Sequence, residues 1–223
     1  MGFILPEIYQ SISSDFDREV PKIFIETGTY MGGVPHRMLE TYGTLQPFDK
    51  IYTIELGEDI CKVASKRYKS YIENDGDLNK FNFHTNEKDD SFLNEEEYQF
   101  GDTILKLICG DSPKVLEDIL KDINEPVCFW LDAHAGAMKY ARGNEDVPLL
   151  EELDVISRHK IKEHIIAIDD AHLFGQKQVS SDGGECDYTQ ITYDKVSETI
   201  LNINSKYDVG VYKPYDMEMI LAI

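Results

Sequence analysis

The sequence predicts an α/β fold built on a mostly parallel sheet, and three observations carry that prediction. Five short apolar runs each end on a carboxylate: Ile23–Glu26, Ile51–Glu55, Ile104–Asp111, Val127–Asp132 and Ile165–Asp169. Amphipathic stretches separate them, and two further apolar runs at the C-terminus are joined by a short turn. Runs of Ile, Val and aromatics with little polar alternation are what strands buried on both faces look like. With 223 residues, 42% of them hydrophobic, the chain is long enough to form one domain over residues 1–223 with a full core. Its 13 Tyr, 10 Phe and single Trp argue against disorder.

Each element follows from local pattern. Residues 1–20 form a mixed lead-in. Lys22–Glu26 is the first strand, followed by the glycine-containing turn Thr27–Gly33 and a helix over Val34–Tyr42. Pro35 suits the first turn of that helix, where no amide hydrogen is needed. Lys50–Glu55 is the second strand, and Ile60, Val63, Ala64 and Tyr68 give Glu58–Tyr71 a helical period. Residues 73–102 are polar and acidic, an insertion or cap in which Phe81–His84 offers a short extra strand. Thr103–Cys109 is the third strand, and Ser112–Asp122 a helix with Leu116, Ile119 and Leu120 on one face.

Val127–Leu131 is the fourth strand. A loop, Ala133–Asp146, leads to a helix Val147–Arg158, with Asp146 its expected N-cap and Glu151 and Glu152 its first-turn acids. His164–Ile168 is the fifth strand. Gly175–Gln190 reads as flexible, with its tip at Ser180–Gly184. A helix Tyr193–Ile203 precedes the runs Tyr207–Tyr212 and Met217–Ile223, which pair as an antiparallel hairpin around Lys213–Asp216. The count comes to seven strands.

Charge narrows the partners. Against 22 basic residues stand 42 acidic ones, a formal net charge of −20, and no Lys/Arg cluster interrupts the excess. Nucleic acid phosphates and anionic membranes would be repelled. The apolar runs are far shorter than the ~20 residues a membrane span needs. The N-terminal Met1–Pro6 lacks the basic lead and long apolar core of a signal peptide. Four cysteines (Cys61, Cys109, Cys128 and Cys186) show no CxxC or CxxH spacing. The expectation is a cytoplasmic protein with free thiols, with no nucleic acid or membrane partner; a homo-oligomer is compatible with the sequence.

In an open α/β sheet the ligand lies beyond the carboxyl ends of the strands. Five acids gathered there suit a cation, a hydroxyl-bearing ligand or a metal, and disfavour phosphate. The first turn sharpens this. No GxxxxGK[ST] segment exists, and Tyr30 occupies the place of the second glycine in a GxGxxG dinucleotide fingerprint. Glu26 would also lie beside the diphosphate. S-adenosylmethionine fits better, because it has no phosphate, carries an ammonium and a sulfonium, and needs a tight turn with an acidic strand end. Glu55 is placed to accept hydrogen bonds from two ribose hydroxyls. Asp111 is placed for the adenine amino group, with a helix N-cap as its rival role.

The segment Glu26-Thr27-Gly28-Thr29-Tyr30-Met31-Gly32 resembles the first motif of class I S-adenosylmethionine-dependent methyltransferases. That resemblance implies a Rossmann-like sheet with the strand order 3-2-1-4-5, and cofactor contacts at Glu26, Gly28, Gly32, Glu55 and Asp111. Fourth and fifth strands are then neighbours, so Asp132 meets Asp169 and Asp170. Three crowded carboxylates call for a cation, and an all-oxygen set suits Mg²⁺. The Asp132…Asp169-Asp170 pattern is similar to that of metal-dependent small-molecule O-methyltransferases of the macrocin type, which act on sugar hydroxyls. The similarity covers residues 22–72 and 103–175. It implies a small-molecule or sugar acceptor, metal ligands at Asp132, Asp169 and Asp170, and a catalytic base at His134, where that family usually has Asp. A neutral His accepts a proton near pH 7. Two other readings stay open: a metal-independent methyltransferase, and a cofactor-binding module without activity.

Overall fold

A computed structural model of the chain describes residues 20–35, 48–73, 94–136, 141–180, 183–213 and 218–223. Its strands are β1 (Ile23–Thr27), β2 (Lys50–Glu55), β3 (Glu95–Phe100), β4 (Thr103–Cys109), β5 (Val127–Leu131), β6 (Ile165–Ile168), β7 (Lys177–Val179), β8 (Glu185–Asp187), β9 (Val209–Tyr212) and β10 (Met219–Ala222). Its helices of more than three residues are α1 (Glu58–Glu73), α2 (Ser112–Asp122), α3 (Leu149–Arg158) and α4 (Tyr193–Ile203). The expected strand Phe81–His84, the lead-in before Val20 and most of the helix expected over Val34–Tyr42 lie outside the described residues.

The main sheet has the order β3-β4-β2-β1-β5-β6-β10-β9. The run β4-β2-β1-β5-β6 is parallel throughout. The C-terminal strands β10 and β9 are antiparallel, with β10 against β6. This is the Rossmann-like α/β sheet expected from the sequence, with eight strands among the described residues rather than seven. The extra strand, β3, comes from the acidic insertion and pairs antiparallel with β4 around Gly101, whose φ is +57°. Aromatics attach it: Tyr98 meets Tyr68 of α1 edge-on at 5.4 Å, and Phe100 meets Tyr71 the same way. Such contacts add ~0.5–1.5 kcal/mol each beyond the area they bury. Within the described part of 175–190, β7 and β8 pair antiparallel, structure that the glycine- and serine-rich composition does not suggest.

Strand alternation divides the core between the two faces. On one side Ile25, Phe129 and Ile166 meet Leu116 of α2, Leu153 and Ile156 of α3, and Val196 and Ile200 of α4. On the other, Phe24, Cys128 and Trp130 meet Phe48 and Ala64 and Tyr68 of α1. Every residue of β1, β5 and β6 is buried, which explains their uninterrupted hydrophobic runs. Two histidines occupy the end of the sheet remote from the acids. The Val127 amide donates to His164 Nδ1, and His164 Nε2 lies 3.1 Å from His159 Nδ1. Among the described residues, no helix is long and apolar enough to cross a membrane.

Candidate functional site

The strand order reverses between β1 and β5, and the loops leaving β1, β2, β4, β5 and β6 converge there. Backbone hydrogen bonds continue past the strand ends and hold these loops together: Gly28 N and Thr29 N donate to Ile54 O, Asp132 N to Thr27 O, Gly110 N to Glu55 O, and Asp169 N to Leu131 O. A cleft of about 360 Å³ opens over this edge. It is lined by Gly28, Tyr30, Glu55, Asp111, Asp132, His134, Asp169 and Asp170, and on its outer side by Glu145, Asp146 and Glu151. No Lys or Arg lines it among the described residues.

The first turn explains its own composition. Gly28 has φ +82°, and a Cβ there would sit 2.4 Å from the Asp132 carbonyl oxygen, so the turn rests directly on the β5 loop. Tyr30 also has a positive φ, +49°, and stands 44% exposed at the cleft mouth. Gly32 serves packing instead: its Cβ would meet the Tyr68 hydroxyl at 2.7 Å, and it does not line the cleft. Glu26 likewise lies beneath the site. It is 1% exposed, and its Oε2 accepts from the Thr53 hydroxyl at 2.5 Å, which in turn touches Thr29. Burial, reinforced by the charges of Asp132 and Glu55 and opposed by Thr53, raises its pKa well above the usual carboxyl range.

Glu55 and Asp111 are the two acids that face the cleft on the β2–β4 side. Glu55 accepts the Tyr30 amide on Oε2 at 2.8 Å and the Gly57 amide on Oε1 at 2.9 Å, which locks its rotamer and leaves lone pairs for a ligand. Its pKa is raised by burial, with those backbone amides working the other way. Asp111 occupies the N-cap position of α2 but makes no capping bond. It pairs with Lys114 at 2.9 Å instead.

Across the cleft, one ligand-capable atom from each of Asp132, His134 and Asp170 lies within 4.8 Å of the others. His134 Nε2 is 3.4 Å from Asp170 Oδ2 and 3.8 Å from Asp132 Oδ1, while Nδ1 lies 3.0 Å from the Ala135 carbonyl. Asp170 sits in the left-handed region with φ +56°. Asp169 is 7% exposed, and its Oδ1 accepts the Asp170 amide at 2.8 Å. The Asp132 and Asp169 pKa values are raised by burial first and then by the neighbouring carboxylates. Burial opposes charging His134, but Cys186, the Ala135 carbonyl and the Asp170 charge outweigh it and push its pKa up to about 9. The sequence suggests a neutral base at His134; the carboxylates around it favour its charged form when no cation sits among them.

Four contributors are not apparent from local sequence. The Tyr188 hydroxyl reaches Asp170 Oδ2 at 3.5 Å. Cys186 lies near His134 and donates its thiol to the Asp146 carbonyl at 3.8 Å. Asp146 does not cap α3, whose N-cap is Pro148; its carboxylate accepts Arg142 at 2.7 Å and the Asp187 amide at 3.1 Å, tying the β7–β8 hairpin to the cleft. Glu152 is fully buried and takes the Ser112 hydroxyl on Oε1 at 2.5 Å, while its Oε2 completes no hydrogen bond. Burial lifts its pKa to about 7, with the Ser112 hydroxyl pulling the other way. A carboxylate among Leu149, Leu153 and Ile156 on a helix's apolar stripe is a signal the sequence does contain.

No protein-family model matches the chain, and no curated protein matches it. Solved structures do. The rRNA methyltransferase AviRa from Streptomyces viridochromogenes aligns with a TM-score of 0.50 and 12% identity, over 98% of this chain and 82% of that one. The fold is that of the class I methyltransferases. SMU.1697c from Streptococcus mutans, in complex with SAH, aligns at 0.44 and 15% identity over 100% of this chain and 99% of that one. Methyltransferase FkbM from Methylobacillus flagellatus KT aligns at 0.47 and 14% identity over 91% of this chain, which spans 43% of that longer one. On a methyltransferase fold, the cleft described here lies at the strand ends beside the topological switch point.

Proposed function

We propose that this single methyltransferase-like domain binds S-adenosylmethionine and methylates a hydroxyl of a small, phosphate-free acceptor, with a divalent cation in the acid cluster. One observation carries the reading: Glu55 and Asp111 face the same cleft as the Gly28 turn, opposite Asp132, His134 and Asp170. Bound there, S-adenosylmethionine supplies an electrophilic methyl group. Glu55, pre-aligned by the Tyr30 and Gly57 amides, accepts the ribose hydroxyls; Asp111 takes the adenine amino group; Gly28 leaves room for the methionine portion. Glu26 and Gly32 support this pocket from behind through Thr53 and Tyr68.

The donor set suits a cation, since carboxylates this close raise one another's pKa unless neutralised. A divalent ion, Mg²⁺ in the sequence reading, would be held by Asp132 and Asp170 beside Asp169, and would lower the pKa of an acceptor hydroxyl. The residues' main task is alignment of two bound reactants, worth ~7–11 kcal/mol in well-oriented systems. The carboxylate-lined walls, with no described Lys or Arg, favour a sugar or other polyol over RNA. The test is a thermal-shift titration with S-adenosylmethionine and SAH, followed by labelled-methyl transfer to hydroxylated small molecules and to RNA. A ligand at 100 times its Kd stabilises the fold by ~2.7 kcal/mol and raises the Tm. A melting point indifferent to both would defeat the proposal, and transfer to RNA alone would defeat its acceptor class.

A further inference from the structure

The all-oxygen cation set expected from sequence is not the set the side chains form. Asp169 turns its Oδ1 to the Asp170 amide, while the ring nitrogen of His134 joins Asp132 and Asp170. His134 Nδ1 lies 3.0 Å from the Ala135 carbonyl, so that nitrogen carries a hydrogen and donates it. Nε2 then faces two carboxylates, at 3.4 and 3.8 Å. Two carboxylates facing one ring nitrogen favour a positive charge between them, a proton when the cluster holds no ion and a metal ion when one binds. Metal-bound histidines characteristically donate their other N–H to a carbonyl or carboxylate in this manner.

A second observation comes from behind the cluster. Glu152 is fully buried, and its Oε2 has no hydrogen-bond partner among the described residues. It lines a small void shared with Asp132, His134, Asp170 and Tyr188. Donors on a shared ion with bonds near 2.1 Å stand about 3 Å apart, so Nε2 and Asp170 Oδ2 need only a small rotamer adjustment.

We infer that Asp132, His134 and Asp170 form a mixed nitrogen–oxygen site for a divalent first-row transition ion, with Mg²⁺ a poor substitute. The inference rests on the proposed function only in placing a cation in this cluster. Imidazole suits the later first-row ions, whereas Mg²⁺ and Mn²⁺ prefer carboxylates, carbonyls and water. His134 then holds the ion, Asp169 positions Asp170, and the proton of the ion-acidified acceptor hydroxyl passes to water in the open cleft rather than to His134.

The test uses the full chain stripped of metal and titrated with Mn²⁺, Co²⁺ and Mg²⁺, reading the melting point with and without S-adenosylmethionine. Co²⁺ is expected to act at concentrations at least about tenfold below Mg²⁺, with Mn²⁺, the most oxygen-seeking of the transition ions, between them. In the Co²⁺ form, proton NMR should show one strongly shifted, solvent-exchangeable imidazole N–H, a readout needing no variant. His134→Ala should remove that signal and the transition-ion response, and His134→Asp should restore preference for Mg²⁺. Equal response to Mg²⁺, indifference to every ion, or an unchanged Co²⁺ spectrum in His134→Ala would overturn the inference while a cofactor response remained. Loss of the cofactor response alone would instead defeat the proposed function.

Discussion

Replacing Glu152 by Gln should stabilise the protein at alkaline pH and leave it nearly unchanged at acid pH. Glu152 is buried on α3, with Ser112 on one oxygen and no completed bond on the other. Its pKa moves from 4.5 to about 7, chiefly through burial. A shift of that size corresponds to about 3 kcal/mol between the two protonation states. Because the folded value lies above the unfolded one, the native state holds a proton that the unfolded chain has released between those two pH values. The stability contributed by the protonated form is complete below pH 4.5 and lost as pH rises through 7. Gln keeps the acceptor for Ser112 and cannot ionise. Urea unfolding of both proteins across pH 4 to 9 should show the variant gaining relative to the parent up to a plateau of about 3 kcal/mol above pH 7. Taking the difference cancels the other buried acids, Glu26 and Asp132 among them. Parallel stability curves would refute the reasoning.

Two further predictions concern the cofactor side. Gly28→Ala places a Cβ against the Asp132 carbonyl at a φ of +82°, and should cost at least about 2 kcal/mol in urea unfolding and abolish binding of S-adenosylmethionine. Gly33→Ala meets no atom within 4 Å among the described residues and should be neutral in the same assay, so equal losses would count against this account of the turn. Glu55→Gln replaces a charged acceptor of the Tyr30 and Gly57 amides and, by proposal, of the ribose. Calorimetry should show the S-adenosylmethionine Kd rising at least about tenfold, and an unchanged Kd would remove Glu55 from the site.

Local pattern was sufficient for much of the fold. The strands Lys50–Glu55, Thr103–Cys109 and Val127–Leu131 and the helices Ser112–Asp122 and Tyr193–Ile203 have the same bounds in sequence and structure, because buried apolar runs and amphipathic periods are local properties. The strand β3 is hidden in the sequence by Glu95–Glu97, although Tyr98 and Phe100 alternate and the two-residue Gly101-Asp102 link to β4 is a hairpin signal. Glu152 fits the helix dipole as a first-turn acid, but its place on the stripe of Leu149, Leu153 and Ile156 is the competing signal, and its burial decides for that face.

The chain's residues alone dictate which segments become strands, in what parallel order they are expected, and that carboxylates collect at one sheet edge. Folding decides which of those acids share a space. Glu26 and Gly32 turn inward to Thr53 and Tyr68, and Asp169 turns to its neighbour's amide, while His134 joins Asp132 and Asp170 under Cys186 and Tyr188 from a distant hairpin. Strand ends are set by periodicity within a few residues. The direction a carboxylate faces, and the proton it keeps, depend on desolvation and on partners tens of residues away, which no local pattern encodes.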